Sequence, residues 1–166
     1  MRVLGVDPGL GGALAVIETS LDALLVQDMP VAKSGTGTRR EVVPVLLAEL
    51  IRAWRPDVAW VEKVHAMPKQ GVSSTFTFGL GYGVVLGVLA ALDVPVRLIT
   101  PLAWKRGLGL DAAKLGSRAM AMRMFPREAA LFARVRDDGR AEAALLAWHG
   151  VGTFRDKTTE ANKIAA

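Results

Sequence analysis

The chain of 166 residues contains no cysteine. That single absence excludes disulfides, thiolate zinc sites and a cysteine nucleophile, and it fits a reducing compartment. No basic start leads into an apolar stretch, and an acid, Asp7, stands early, so no secretory signal is expected. Neither an internal repeat nor a linker divides the sequence, which is read as one domain large enough for a substantial core. Charge is missing altogether from Gln70 to Leu92. A run of that length approaches a membrane span. It carries Ser73, Ser74, Thr75 and Thr77 and glycines at 71, 79, 81, 83 and 87, however, and is read as a buried helix, with no membrane association expected. Negative charge is in the minority: 16 acidic against 21 basic residues give a net charge of +5 and a pI near 10.0. That balance points to a polyanionic partner, nucleic acid first.

Three short apolar runs, Val3–Asp7, Ala13–Ile17 and Leu24–Met29, are separated by turns and predict an antiparallel meander. Lys33–Thr38 is glycine-rich and reads as a flexible loop. From Arg39 to Trp54 the apolar residues Val42, Val45, Leu46, Leu50 and Ile51 recur at helical steps, and Arg55-Pro-Asp57 ends that helix. Val58–Val61 and Val94–Thr100 are a fourth and a fifth strand. Helices are expected at Pro101–Leu108, Ala112–Met124 and Gly139–His149. A meander followed by alternating elements predicts an α/β fold, a five-stranded mixed sheet with parallel strands added to the meander and helices on both faces. Gly79, Gly83 and Gly87 share one helical face, which implies close approach of another backbone, either the sheet or a second subunit. Asp156–Ala166 has little apolar periodicity. The domain is expected over residues 1–152, with a flexible tail over 153–166.

Acids punctuate this pattern at informative places. Asp7 ends the first strand ahead of Pro8-Gly9, and Glu62 ends the fourth. Asp7 also suits a simple turn, where Asp at position i and Pro at i+1 are favoured. If the two strands are neighbours, both carboxylates reach one edge of the sheet. In Arg136-Asp-Asp-Gly-Arg-Ala-Glu142, Asp138 and Glu142 are four apart and share a helix face, whereas Asp137 and Glu142 diverge. That geometry picks Asp138 over Asp137, with helix capping as the structural alternative for Asp138 and Glu142. Glu142 opens an apolar helix, where a packed carboxylate beside others is costly unless cations neutralise it. Four acids without a thiol favour a hard, oxygen-binding ion, Mg²⁺ or Mn²⁺. Two such ions in a basic protein point to metal-dependent hydrolysis of nucleic acid.

Gly5-Val-Asp-Pro-Gly9, Val61-Glu62, Gly71–Gly83 and Asp138-Gly-Arg-Ala-Glu-Ala-Ala144 together resemble the motifs of the RuvC-type Holliday junction resolvases of the RNase H-like superfamily. The likeness spans Met1 to about Gly150, and the Gly71–Gly83 stretch is closest in style to bacteriophage members. It implies a homodimer with two active sites that cut opposing strands of a four-way DNA junction. It implies Asp7, Glu62, Asp138 and Glu142 as metal ligands for Mg²⁺, with Mn²⁺ as a substitute and two ions per site. One feature departs from the pattern: bacterial members close with two aspartates three apart, whereas here the spacing is four and the second acid is Glu142. Lys105 and Lys114 match basic positions near the scissile phosphate, where a cation holds phosphate or offsets developing charge.

DNA contacts are expected from Lys33, Arg39 and Arg40 around the glycine-rich loop, from Lys69, and from Lys105, Arg106, Lys114 and Arg118. Further arginines at 123, 127, 134, 136 and 140 enrich the last third of the chain in positive charge. Where the family carries an aromatic wedge for the junction centre, this chain offers Met67 or Phe76. His65 is read as a loop residue. A cytoplasmic enzyme is expected. The weighed alternatives are a less selective fork or flap nuclease, a junction-binding protein without cleavage, and an ATP-binding protein of the actin and sugar-kinase kind, for which 166 residues leave no room for the second domain.

Overall fold

The structure is a computed structural model that describes residues 1–20, 22–33, 35, 40–65, 71–109 and 114–164, with side chains at all of these except 114–115 and 155–164. Its centre is β1 (Arg2–Asp7), whose Val3, Leu4 and Val6 are fully buried. Alternate residues of β1 enter two separate cores, one on each face of the sheet. Both faces must therefore be covered, which explains a strand that is apolar without interruption.

On its two sides β1 pairs antiparallel with β2 (Ala13–Glu18) and parallel with β6 (Val58–Glu62). β3 (Ala23–Asp28) pairs antiparallel with β2, and β7 (Val96–Ile99) parallel with β6. The order is β3-β2-β1-β6-β7, the mixed five-stranded sheet that the pattern predicts. One face carries α5 (Asp138–Ile164), whose Ala141, Ala143, Ala144 and Ala147 are fully buried with Leu145 and Leu146. The other face carries α1 (Pro44–Trp54) and α2 (Val72–Ala91), with Leu47, Ile51, Val85 and Leu89 packed on Leu4, Val6, Leu14 and Val16. α3 (Pro101–Gly107) and α4 (Lys114–Met124) follow β7, and two 3₁₀ turns, Pro126–Phe132 and Val135–Asp137, lead into α5.

Small residues let α5 sit close to the sheet. A Cβ on Gly5 would lie inside the backbone of α5, against the Ala143 carbonyl and the Ala147 amide. Gly150, farther along α5, is pressed in the same way against the Trp60 ring.

Three expectations are corrected. The helix expected from Arg39 starts at Pro44. Arg40–Val42 is β5, paired with β4 (Val31–Lys33) in a two-stranded hairpin, so Lys33 belongs to a strand rather than a loop. The uncharged helix is not buried: only Gly81, Val85 and Leu89 of α2 are, while Val72, Phe76 and Leu80 stand in the open. By length and composition α2 alone among the described helices is long and apolar enough to cross a membrane. Finally, the helix expected over Gly139–His149 begins at Asp138 and continues to Ile164.

Candidate active site

Parallel pairing of β1 with β6 aligns Val6 with Val61, so the next residues, Asp7 and Glu62, leave neighbouring strands side by side. Both follow the alternation that directs Val3, Gly5, Val58 and Trp60 toward α5. The carboxyl ends of adjacent parallel strands are where open α/β sheets bind their ligands.

The first turn of α5 closes over Asp7. A Cβ on Gly139 would stand 2.6 Å from the Gly11 carbonyl and 3.0 Å from Asp7 Oδ2, so only glycine admits this approach. Gly12 lies equally near: a Cβ there would be 2.8 Å from Asp7 Cγ. Asp7 Oδ1 accepts the Gly9 amide hydrogen at 3.2 Å, the turn contact that Asp-Pro-Gly favours. The aspartate is thus both a turn former and a group facing the helix start.

Neighbouring residues of α3 hold the next two acids, Trp104 taking Glu62 and Lys105 taking Glu142. Lys105 Nζ donates to Glu142 Oε1 at 2.7 Å, with each side chain 13% exposed, and Ser117 Oγ donates to the same oxygen at 3.2 Å. Trp104, fully buried, donates its indole N–H to Glu62 Oε1 at 3.0 Å. The Lys105 ammonium lies 5.1 Å from the Trp104 ring centre, within cation–π range. Sequence reasoning missed Trp104 and Ser117. The signal for Trp104 was its place next to Lys105 in an amphipathic turn, since a buried indole usually finds an acceptor. Ser117 carried none.

The neighbouring aspartates separate. Asp138 accepts Arg118 Nε at 2.9 Å on the side of α4 that also holds Ser117. Asp137 is buried and belongs to the preceding 3₁₀ turn. There it accepts the Arg134 amide at 2.9 Å and the Arg134 guanidinium at 2.8 Å, which holds its carboxyl below the usual range. Of the pair, Asp138 shares the Glu142 side of α5, as the four-residue spacing predicts.

Burial holds the Glu62 carboxyl above the usual carboxylate range, and the charge of Glu142 adds to that, against the Trp104 hydrogen bond and Lys105, which lower it. A carboxyl whose pKa is higher folded than unfolded stabilises the fold while protonated. That contribution is complete below the ordinary value of 4.5 and is lost as pH rises through the raised one. Glu62→Gln, which keeps the shape without the charge, should therefore melt at a higher temperature than wild type above that range and at the same temperature below it. Thermal melts in chelator from about pH 4 to about pH 8 read this; parallel pH profiles for the two proteins would rule it out.

Four carboxylates with no thiol suit a hard divalent cation, and a cation is what would offset the burial that holds Glu62 up. As the side chains stand, Glu142 is engaged by Lys105 and Asp138 by Arg118. Among the described residues no three acidic or histidine side chains are grouped closely enough to hold an ion.

The remaining predicted residues lie on separate elements. Lys33 and Arg40 pair across the β4–β5 hairpin, and Arg40 Nη2 donates to the Leu10 carbonyl at 2.8 Å. Arg106 is exposed on α3, and Phe76, 68% exposed, stands on α2. Lys114 opens α4, its side chain outside the described ones, and Arg39, Met67 and Lys69 lie outside the described residues.

No family model matches the chain. It is 34% identical over 157 residues to the crossover junction endodeoxyribonuclease RuvC of Synechococcus sp. (strain CC9902), an alignment covering 90% of this chain and 97% of that one. The RuvC of Parasynechococcus marenigrum (strain WH8102) is 33% identical over the same shares. Among solved structures, Thermus thermophilus RuvC in complex with a Holliday junction substrate superposes with a TM-score of 0.62 at 19% identity, over 92% of this chain and 96% of that one. The yeast mitochondrial Holliday junction resolvase Ydc2 gives 0.52 at 14% identity, over 89% and 76%.

Proposed function

The chain belongs to the RuvC family of crossover junction endodeoxyribonucleases, and from that premise we propose that it resolves four-way DNA junctions by paired, metal-dependent hydrolysis of phosphodiesters in opposing strands. What supports this reading is that three elements bring acids to the same end of the sheet: Asp7 and Glu62 leave neighbouring parallel strands, and the first turn of α5, which carries Asp138 and Glu142, closes over Asp7. In this reading those four carboxylates hold Mg²⁺, or Mn²⁺ in its place, as two ions. Such ions supply Lewis acidity and a water of lowered pKa. Trp104 orients Glu62 and shields one of its oxygens from water. Lys105, tethered to Glu142, and Lys114 at the head of α4 offer positive charge to the phosphate. Arg118 does the same from its place beside Asp138. The setting is a cytoplasmic one.

A homodimer completes this reading, and α2 supports it. Val72, Phe76, Gly79, Leu80, Gly83 and Gly87 fall within about a third of a helical turn of one another, opposite Gly81, Val85 and Leu89. A Cβ on Gly79, Gly83 or Gly87 would meet nothing within 4 Å, so the sheet is not what these glycines approach. A second copy is the remaining alternative, and an exposed apolar face of this kind marks an association surface. Leu80→Glu should convert the dimer to monomer in light scattering coupled to size exclusion. A wild type that is monomeric at assay concentrations would remove the basis for paired cutting.

The test of the activity is incubation of the purified protein with a synthetic four-way junction, with and without Mg²⁺, scored on both strands. Symmetric paired nicks that require metal are expected. Equal rates on linear duplex, forks and junctions would favour a general branch nuclease, and no metal-dependent cutting at any salt would overturn the reading.

A further inference from the structure

Next to the acidic end of the sheet, but on the β3 side of it, lies an open pocket of about 440 Å³. Four arginines line it: Arg40 from the β4–β5 hairpin, Arg134 and Arg136 from the 3₁₀ turn before α5, and Arg140 from α5 itself. Only two acids, Asp28 and Asp137, share the lining. Two positive charges are therefore left over at the pocket wall.

The acids act as anchors for the guanidinium groups. Asp28 receives two N–H groups of Arg140, one of them Nη2 at 2.7 Å, and Asp137 receives Nε and Nη2 of Arg134. Each arginine has five N–H donors, so both keep donors to spare. Asp137 further closes its own turn, because its amide donates to the Arg134 carbonyl at 2.9 Å while its carboxylate accepts the Arg134 amide. That buried aspartate makes a rigid platform that carries Arg134 and Arg136 outward, with Val135 77% exposed between them. Arg136 takes part in none of the ion pairs among the described residues. Held arginines with spare planar donors are suited to phosphate, which they bind through two N–H groups at once.

Position relates this pocket to the acids. Gly11 and Gly12 line the pocket and at the same time back onto Asp7 and Gly139. The pocket and the acidic end share that wall. We propose that the Arg40–Arg134–Arg136–Arg140 pocket binds a backbone phosphate of the DNA strand that is cut, one or two phosphates from the scissile one. This rests on the nuclease reading above for the identity of the strand. It assigns to Asp137 the work of holding Arg134 in place, and to Arg136 and Arg40 direct phosphate contact.

The test measures binding of the full-length protein to a four-way junction in metal-free buffer over a salt series, for wild type, Arg136→Gln and Arg40→Gln. Neither side chain is part of a described ion pair, and thermal melts verify that both variants fold. Each substitution should reduce the slope of log affinity against log salt by about one. The same junctions are then made with single neutral methylphosphonate linkages walked along the strand. Neutralising one position beside the cut should weaken wild type on the order of tenfold and Arg136→Gln clearly less, because one of the two contacting arginines is already gone. Unchanged slopes, or penalties that add in full at every position, would overturn the pocket. The Mg²⁺ cutting assay on wild type scores the nuclease reading separately. A wild type that binds without cutting sinks that reading and leaves the neutralisation pattern to judge the pocket, whereas no junction binding at low salt overturns both.

Discussion

Asp7→Asn and Glu62→Gln should each bind a four-way junction as tightly as wild type and cut it more than about a hundredfold more slowly. Even the outer hydrogen-bond partners of metal ligands typically cost 10–100-fold when removed, and a ligand should cost more. Both substitutions keep the side-chain volume and remove one negative charge, so repulsion of the DNA backbone falls and binding has no reason to weaken. The fold should also survive. Asp7 accepts the Gly9 amide in its turn, a contact that the amide oxygen of Asn reproduces. Gln at 62 keeps an acceptor for the Trp104 indole and removes a buried charge. Gel-shift and single-turnover cleavage on the same preparations separate the two effects. Unfolding together with lost binding would make these acids structural, and undiminished cutting would exclude them as ligands.

Gly5→Ala should destabilise the protein by about 3 kcal/mol or more, the upper end of overpacking costs. The added methyl group meets backbone atoms of α5, the Ala143 carbonyl and the Ala147 amide, which cannot rotate away as a side chain would. Relief requires α5 to lift off the central strand, opening a core of fully buried alanines and leucines. Set against a typical total of 5–15 kcal/mol, this is a large share of the stability. Urea unfolding with an unchanged slope and a shifted midpoint is the expected signature. Gly152→Ala is the contrast. It lies in the same helix with nothing within 4 Å of the added atom, and it should gain roughly 0.5–1 kcal/mol through helix propensity. If Gly5→Ala unfolds at the wild-type midpoint, the close seating of α5 on β1 is wrong.

The two substitutions probe different kinds of information. Asp7 and Glu62 stand out in the chain because each ends an apolar run, a local pattern readable without any partner. The close approach at Gly5 does not stand out. Glycine inside Val-Leu-Gly-Val reads as a weak spot in a strand until the helix above it is seen. The β4–β5 hairpin was hidden for a related reason. Val42 fits the three-residue step to Val45 and was absorbed into the helical period, whereas Pro44 at the first turn of α1 and the extended Val43 before it mark the true start.

The strand and helix segments and the helical phase of Asp138 with Glu142 follow from periodicity of two and 3.6, which any single segment expresses by itself, whereas the pairing of the two acid-bearing strands is set only in the sheet. Periodicity says nothing when every position is apolar. The uncharged α2 could be read as a core helix from its composition, and only packing against the sheet decided that one narrow side is buried and the glycine side left open. Nor could periodicity choose the partners of charged groups. Asp137 and Asp138 are equivalent neighbours in the chain. Asp137 went to Arg134 and Arg140, and Asp138 to Arg118, because a 3₁₀ turn ends and α5 begins between them. Local pattern thus determined which residues could gather at the end of the sheet. Long-range contact, Trp104 on Glu62 and Lys105 on Glu142, decided which partner each acid takes, since burial and neighbouring charge exist only in the folded chain.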